Sequence, residues 1–296
     1  MSTRPVTVSG HRTLIGARRD TRRGVTDRVM RGLSVSAAAV CIVPLAAVVF
    51  FVTINGIGAL NLDLLTKAPR ALGIGGGALS AILGSLQMVP LATLMAVPAG
   101  VLAATYVSEF AGARTAAVIR FSADVLVGIP SILIGIFVFT FLVLPFRQFN
   151  AFAGSVGLAI IMLPVVMRTT DEILALVPSA LREASLALGV PRWRTVVSIV
   201  LRTGLGGILT GVMLALARAA GETAPLLFTA LGSRLVNVGD LGRPMDALPL
   251  FIFVNARQPY TILNQQAWGA AFLLMVFVLV VNVAVRARSF GRRTAT

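Results

Sequence analysis

Runs of about 20 apolar residues, recurring along one chain between arginine-bearing loops, leave few folds open. Six such segments fall at about Gly32–Ile54, Ala78–Val107, Ala116–Leu144, Ala153–Val166, Gly206–Leu231 and Ala267–Val285. Segments of that length suit helices and not barrel strands, because inside a bilayer a helix satisfies its own N–H and C=O groups. The second is long enough to tilt or kink, with Pro90 and Pro98 inside it, and the fourth is short. Composition agrees: 57% of the residues are hydrophobic and 12% charged, too few charges for the surface of a soluble domain of 296 residues. The expected fold class is an all-α membrane protein with six transmembrane helices.

The net charge of +15 does not point to nucleic acid, because the basic residues sit at the chain ends and in loops between apolar spans. With the N-terminus inside, 19 of the 26 basic residues fall on the cytoplasmic side and 6 outside, with Arg218 left within a span. The positive-inside rule selects that orientation, and six spans then put both termini in the cytoplasm of a plasma (inner) membrane protein. Residues 1–31 read as a disordered basic tail and 287–296 as a second basic tail. Residues 32–77 hold the first span and an outer loop, and 78–286 form the core. The chain has one cysteine, Cys41, one histidine, His11, and one lysine, Lys67, which no phosphate-binding glycine loop surrounds. A disulfide, a metal site and ATP hydrolysis by this chain are therefore not expected, and no catalytic residue is assigned.

Two long connections stand out. The outer one contains "DALPLFIFVNA", too short to span, which reads as an interfacial or re-entrant helix and a surface for an external partner. The inner one, 169–205, contains "VPSALREASLALGVPRWRTVVSIVLR". Ser179 after Pro178 can open a helix, Gly189 can end it in a left-handed cap, and Pro191 suits the first turn of the next. Trp193, Val196, Val197 and Val200 give that second helix an apolar side. The expectation is two short helices joined by a tight bend.

This stretch resembles the EAA motif of ABC importer permeases, E-A-A-x3-G-x9-I-x-L-P. Glu183, Ala184 and Ser185 stand for E-A-A, Gly189 follows at the motif distance, and Ile199 and Leu201 keep the register. Arg202 stands where the motif has proline. "LPVVMRTTDEILALVPSALREASLALG", "ALARAAGETAPLLFTALG" and "GIPSI" look like the permeases of phosphate ABC importers of the PstA type, over roughly Gly84 to Asn282. The resemblance implies a type I ABC importer permease fold whose EAA loop inserts into a separate ATPase. It implies a homologous second permease, two ATPase subunits that hold the ATP and Mg, and an extracytoplasmic phosphate-binding protein. Phosphate would move inward by alternating access. Permeases for sulfate, molybdate or phosphonate share the class; a self-sufficient channel or ion-coupled transporter is the rival outside it, and the EAA loop argues against that rival.

Inside "LALARAAGETAPLLF", Arg218 and Glu222 stand four residues apart, on one helix face and within reach of each other. A charge at the bilayer centre costs about 2.5–3.5 kcal/mol on insertion scales, so such residues are functional candidates. Two readings stand. The pair is a salt bridge that fixes helix packing, or Arg218 offers charge to passing phosphate while Glu222 orients and partly neutralises it. Arg168, at the inner end of the fourth span, reads as an interface anchor, and its place in the family suggests a second pathway arginine. Pro130 and Pro225 are expected to kink spans three and five. Glu109 and Asp124 are expected to pair with Arg114 or Arg120 at the inner interface.

Overall fold

The computed structural model describes residues 14–70 and 75–291, and the regular structure there is helical apart from two isolated bridge pairings. The chain forms two compact units, Met1–Val52 and Thr53–Thr296. The first holds most of α1, Leu14–Ala59. This helix is apolar on every side from Ala37 to Val52, which suits lipid and not a water-facing surface. It begins at Leu14, so residues 14–31, read from the sequence as disordered tail, are helical. The remainder of that tail, 1–13, and the last residues, 292–296, lie outside the described residues.

The second unit continues with α2 (Leu62–Thr66), α3 (Leu79–Glu109), α4 (Ala113–Gly128) and α5 (Ser131–Val138), which a π-helical turn prolongs over Phe139–Val143. Then come α6 (Ala151–Ala175), α7 (Ser179–Ala187) and α8 (Arg192–Thr195), which runs through a π-helical turn at Val196–Val200 into α9 (Leu201–Ala220). The short α10 (Ala224–Thr229) and α11 (Leu248–Ala256) precede α12 (Thr261–Gly291). Five described helical stretches are long and apolar enough to cross a membrane: Thr26–Ala59, Leu79–Glu109, Ala151–Ala175, Arg192–Ala220 and Thr261–Ala284. The α4–α5 pair passes the same test jointly but is bent by 99°.

α3 and α6 form the centre. On α3, Gly84, Met88, Ala92, Ala96, Gly100 and Ala104 recur every fourth residue and are all buried, a face small enough for close helix approach. At Gly100 a Cβ would meet the Val166 side chain of α6 at 2.9 Å. Leu94 and Leu102, on the opposite face, are each 70% exposed. Leu158, Met162 and Val166 of α6 complete this core with Ala215 and Ala219 of α9.

The two central helices run in the same direction. Near their starts, Gln87 Oε1 accepts from Gly239 N (2.7 Å) and Ala151 N donates to Arg243 O (3.0 Å), so both meet the 237–243 loop. Near their ends, both meet Arg182, through the Glu109 carboxylate and the Leu174 carbonyl. The bent pair α4–α5 therefore carries the chain back from the Glu109 end to the Asn150 end. The "DALPLFIFVNA" segment forms α11, of nine residues, which buries Leu248 and Phe251 against Leu64, Ala78, Ala81 and Ala270.

Candidate functional site

The fifth apolar segment is a broken helix. Gly221 ends α9, and α10 restarts with Pro225 in its first turn. Proline lacks an N–H and its ring would strike the carbonyl four residues back, that of Gly221, so one helix cannot continue through this point. The helix also begins earlier than the sequence suggests, at Arg192, and extends over 29 residues. Arg218 thus stands in the last turn of α9, not near its middle, where a cation also meets the negative end of the helix dipole. Its Nε lies 3.5 Å from Glu222 Oε1, with Arg218 half-exposed and Glu222 largely covered.

The third segment breaks at Ile129 and Pro130, which separate α4 from α5. The short helices after the two breaks pack on each other. A Cβ on Gly135 of α5 would lie 2.7 Å from Pro225 Cα of α10, and one on Gly157 of α6 would lie 3.6 Å from Pro225 Cβ. Pro225 is buried between them. Sequence reading placed both prolines at distortions but not the two breaks on a common seam; the glycines opposite them are the only local trace of it.

Arg168 belongs to a different group. The fourth segment continues as helix to Ala175, beyond the expected end, so Arg168 lies inside α6. Its Nε is 3.0 Å from Glu172 Oε1 and 3.7 Å from Asp124 Oδ1 on α4. About one turn nearer the Glu109 end, Arg120 of α4 grips the buried Asp171 with two hydrogen bonds, 2.7 and 3.0 Å. The expected pairing of Asp124 with Arg114 or Arg120 is therefore replaced by pairs across α4 and α6. Arg168 and Arg218 are held in separate ion pairs. A cavity of 560 Å³ lies between α6, α9 and α12, lined by Thr169, Glu172, Thr210, Gly211, Leu214 and Asn282.

The inner connection forms the expected bend. Gly189 has φ +76°. Its N–H donates to Leu186 O (2.9 Å), and Val190 N–H donates to Ser185 O (3.2 Å). This pair of bonds is the Schellman arrangement, which satisfies the last carbonyls of α7. Ser185 and Thr195, both buried, join the two helices through their hydroxyls at 2.8 Å. Glu183 and Ala184 are exposed. So are Leu188 (84%) and Trp193 (62%), leaving an apolar tip uncovered. The second helix is the first part of the long helix that ends at Ala220, with Arg218 in its last turn.

Glu109 pairs with Arg182 and not with Arg114 or Arg120 (Nη2–Oε1 2.7 Å, Nε–Oε1 3.1 Å). Sequence reading missed this clamp, although Glu109 is the only carboxylate in α3. It also missed Asp246, buried at the start of α11 beside a 290 Å³ pocket lined by Ser233, Arg234, Asn255 and Gln258. Burial pushes the Asp246 carboxyl up to about 7, against the Ala247 N–H that donates to Oδ1 (2.9 Å) and favours the charged form.

Residues 96–293 match the family model of the binding-protein-dependent transport system inner membrane component. The chain belongs to this family. The permease is 41% identical over 265 residues to the phosphate transport system permease protein PstA of Haemophilus influenzae, covering 89% of this chain and 94% of that one. To the protein of the same name from Yersinia pestis it is 39% identical over 93% of this chain and 94% of that one. Among solved structures it is similar to a chain of the inward-facing MetNI methionine ABC transporter, with a TM-score of 0.56, 19% identity and coverage of 71% and 94% of the two chains. That likeness shows that the helical arrangement is the permease fold of an ABC transporter.

Proposed function

We propose that this permease is the membrane-translocation subunit of a phosphate ABC importer in a plasma (inner) membrane. The observation that carries the reading is the 41% identity to a phosphate transport permease over 94% of that protein's length. The permease pairs with a homologous second permease and with two ATPase subunits that bind ATP and Mg. An extracytoplasmic phosphate-binding protein delivers the substrate. Six crossings, counting the bent α4–α5 pair as one, put both termini and the 169–205 loop in the cytoplasm. The exposed tip of α7 and α8, with Leu188 and Trp193, enters the ATPase. A helix closed by a Schellman cap and tied to its neighbour by Ser185 and Thr195 is a stiff lever.

Arg218 meets phosphate on its way through, and Glu222 keeps that contact weak enough to release. The 3.5 Å separation leaves the guanidinium half-exposed and free to take a second anion. Its place in the last turn of α9 also supports a second reading, in which the arginine serves the helix end alone. Phosphate uptake by cells without other phosphate importers separates them. Arg218→Gln should abolish uptake while the complex still assembles. If the pair only stabilises packing, Arg218→Gln with Glu222→Gln removes both charges and restores uptake. Persistent failure of an assembled double variant supports the substrate contact, and near-normal uptake ends it.

A further inference from the structure

The lever must pull on something, and the structure assigns that task to one side-chain clamp. We propose that Glu109 and Arg182 form the latch through which α7 moves α3, so that ATPase closure becomes movement of the central helix pair. The proposal rests on the reading of the α7–α8 tip as the ATPase contact.

Four observations converge on the clamp. Glu109 is the last residue of α3 and its side chain is only 6% exposed. Arg182 is the fourth residue of α7 and presents Nε and Nη2 to the same carboxylate. Its remaining donors go to main-chain carbonyls at the end of α6 and just beyond, Nη2 to Leu174 O (2.9 Å) and Nη1 to Val177 O (2.6 Å). The other arm of the bend is tied to the same point: Arg192 Nη2 donates to the Glu109 carbonyl, and its guanidinium lies 5.4 Å over the Phe110 ring.

The chemistry suits transmission better than docking. A guanidinium offers five N–H donors in a fixed plane, and Arg182 uses four of them on three different segments. A lysine in its place would keep the charge but lose the planar fork. One of the carbonyls it takes, Leu174 O, also accepts from Val177 N–H (3.2 Å), so the guanidinium binds the turn that closes α6. The clamp faces the helices and the apolar tip faces away, so contact and transmission reside in different residues. Beside the clamp, Arg192 of α8 supplies a second tie from the bend to the end of α3.

The test uses the full importer complex with Cys41→Ser as background, carrying Glu109→Cys and Arg182→Cys. With free thiols, the ATPase subunit should co-purify and hydrolyse ATP as with the native permease. Phosphate moved per ATP should fall about tenfold or more, the scale of a lost coupling interaction. A short bis-methanethiosulfonate, from which each cysteine thiolate displaces one methanesulfinate, bridges the two cysteines and should restore transport. A merely structural role would lower assembly and hydrolysis together and would not be rescued by a bridge. Native transport per ATP with free thiols overturns the latch, and so does failure of a completed bridge to restore it. Should the cysteine pair fail to insert, Arg182→Lys takes its place, with the same ratio measured. Leu188→Asp separates the two claims. Undiminished ATPase co-purification there removes the docking reading and the latch with it. Loss of co-purification there, with normal transport per ATP in Arg182→Lys, removes the latch alone.

Discussion

Asp246 shows how a single carboxyl can report on folding. Its folded pKa, about 7, is raised above the ordinary 3.8 because burial penalises the charge. The folded state therefore holds a proton that the unfolded chain has released between those two values, so stability declines as pH rises through that window and levels off above it. Asp246→Asn keeps an oxygen for the Ala247 N–H and removes the charge. The variant complex should melt higher than the native one at about pH 8, and the gap should narrow as pH falls toward about 4. A gap independent of pH would mean that the carboxyl is not held in this way. Nothing in the sequence marks Asp246, because its burial comes from the loop folding back onto Gly84, where an added Cβ would strike the Asp246 carbonyl oxygen. Arg218 and Glu222 were legible as a pair from their spacing. Their position at a helix end was not, since apolar residues run on past the break to Leu231.

The bend after α7 was legible because each of its signals is local: a proline, a glycine and a second proline at fixed offsets. Gly189 gives the sharpest test. Nothing lies within 4 Å of a Cβ there, so Gly189→Ala meets only the left-handed backbone, at a cost of about 1 kcal/mol. Gly189→Pro cannot adopt φ +76° and also loses the N–H that bonds Leu186 O. The alanine variant should retain most ATPase co-purification and uptake, and the proline variant should lose both while still inserting. Equal behaviour of the two would show that the bend is not what matters. The ends of the fourth span were misread for a physical reason. Arg168, Asp171 and Glu172 interrupt the apolar run, yet α6 continues because Asp171 is paired with Arg120 and Arg168 with Asp124, both on α4. Pairing across helices leaves no mark in one stretch of sequence. The α5–α10 contact is similar, and it can be tested at Gly135. Gly135→Val would drive atoms against Pro225, and overpacking of that kind costs about 1–3 kcal/mol. The purified complex should melt at lower temperature; an unchanged melt would mean that the two short helices part freely.

At the scale of the whole molecule, the bent pair decides the topology. Apolar runs suffice to count segments, but a run that turns by 99° can either cross or return to its own side. The hydrogen bonds favour crossing. The chain leaves α3 at the end where Glu109 meets Arg182, and it starts α6 at the other end, where Asn150 N donates to Thr229 O and Ala151 N to Arg243 O. Four single cysteines in a Cys41→Ser background test this with a membrane-impermeant maleimide. They replace Gly112 in the exposed turn between α3 and α4, Phe146 between α5 and α6 (73% exposed), Ser179 in the exposed start of α7, and Val238 in the outer loop (70% exposed). Phe146→Cys and Val238→Cys should label in intact cells, and Gly112→Cys and Ser179→Cys only once the membrane is opened. Labelling of Gly112→Cys and Ser179→Cys alone would reverse the orientation and leave the fold intact. Gly112→Cys and Phe146→Cys on the same side, with Ser179→Cys on the other, would make α4–α5 a re-entrant pair. The crossings would then number five and the two termini would lie on opposite sides, and α3 and α6, with no crossing between them, could not run in the same direction.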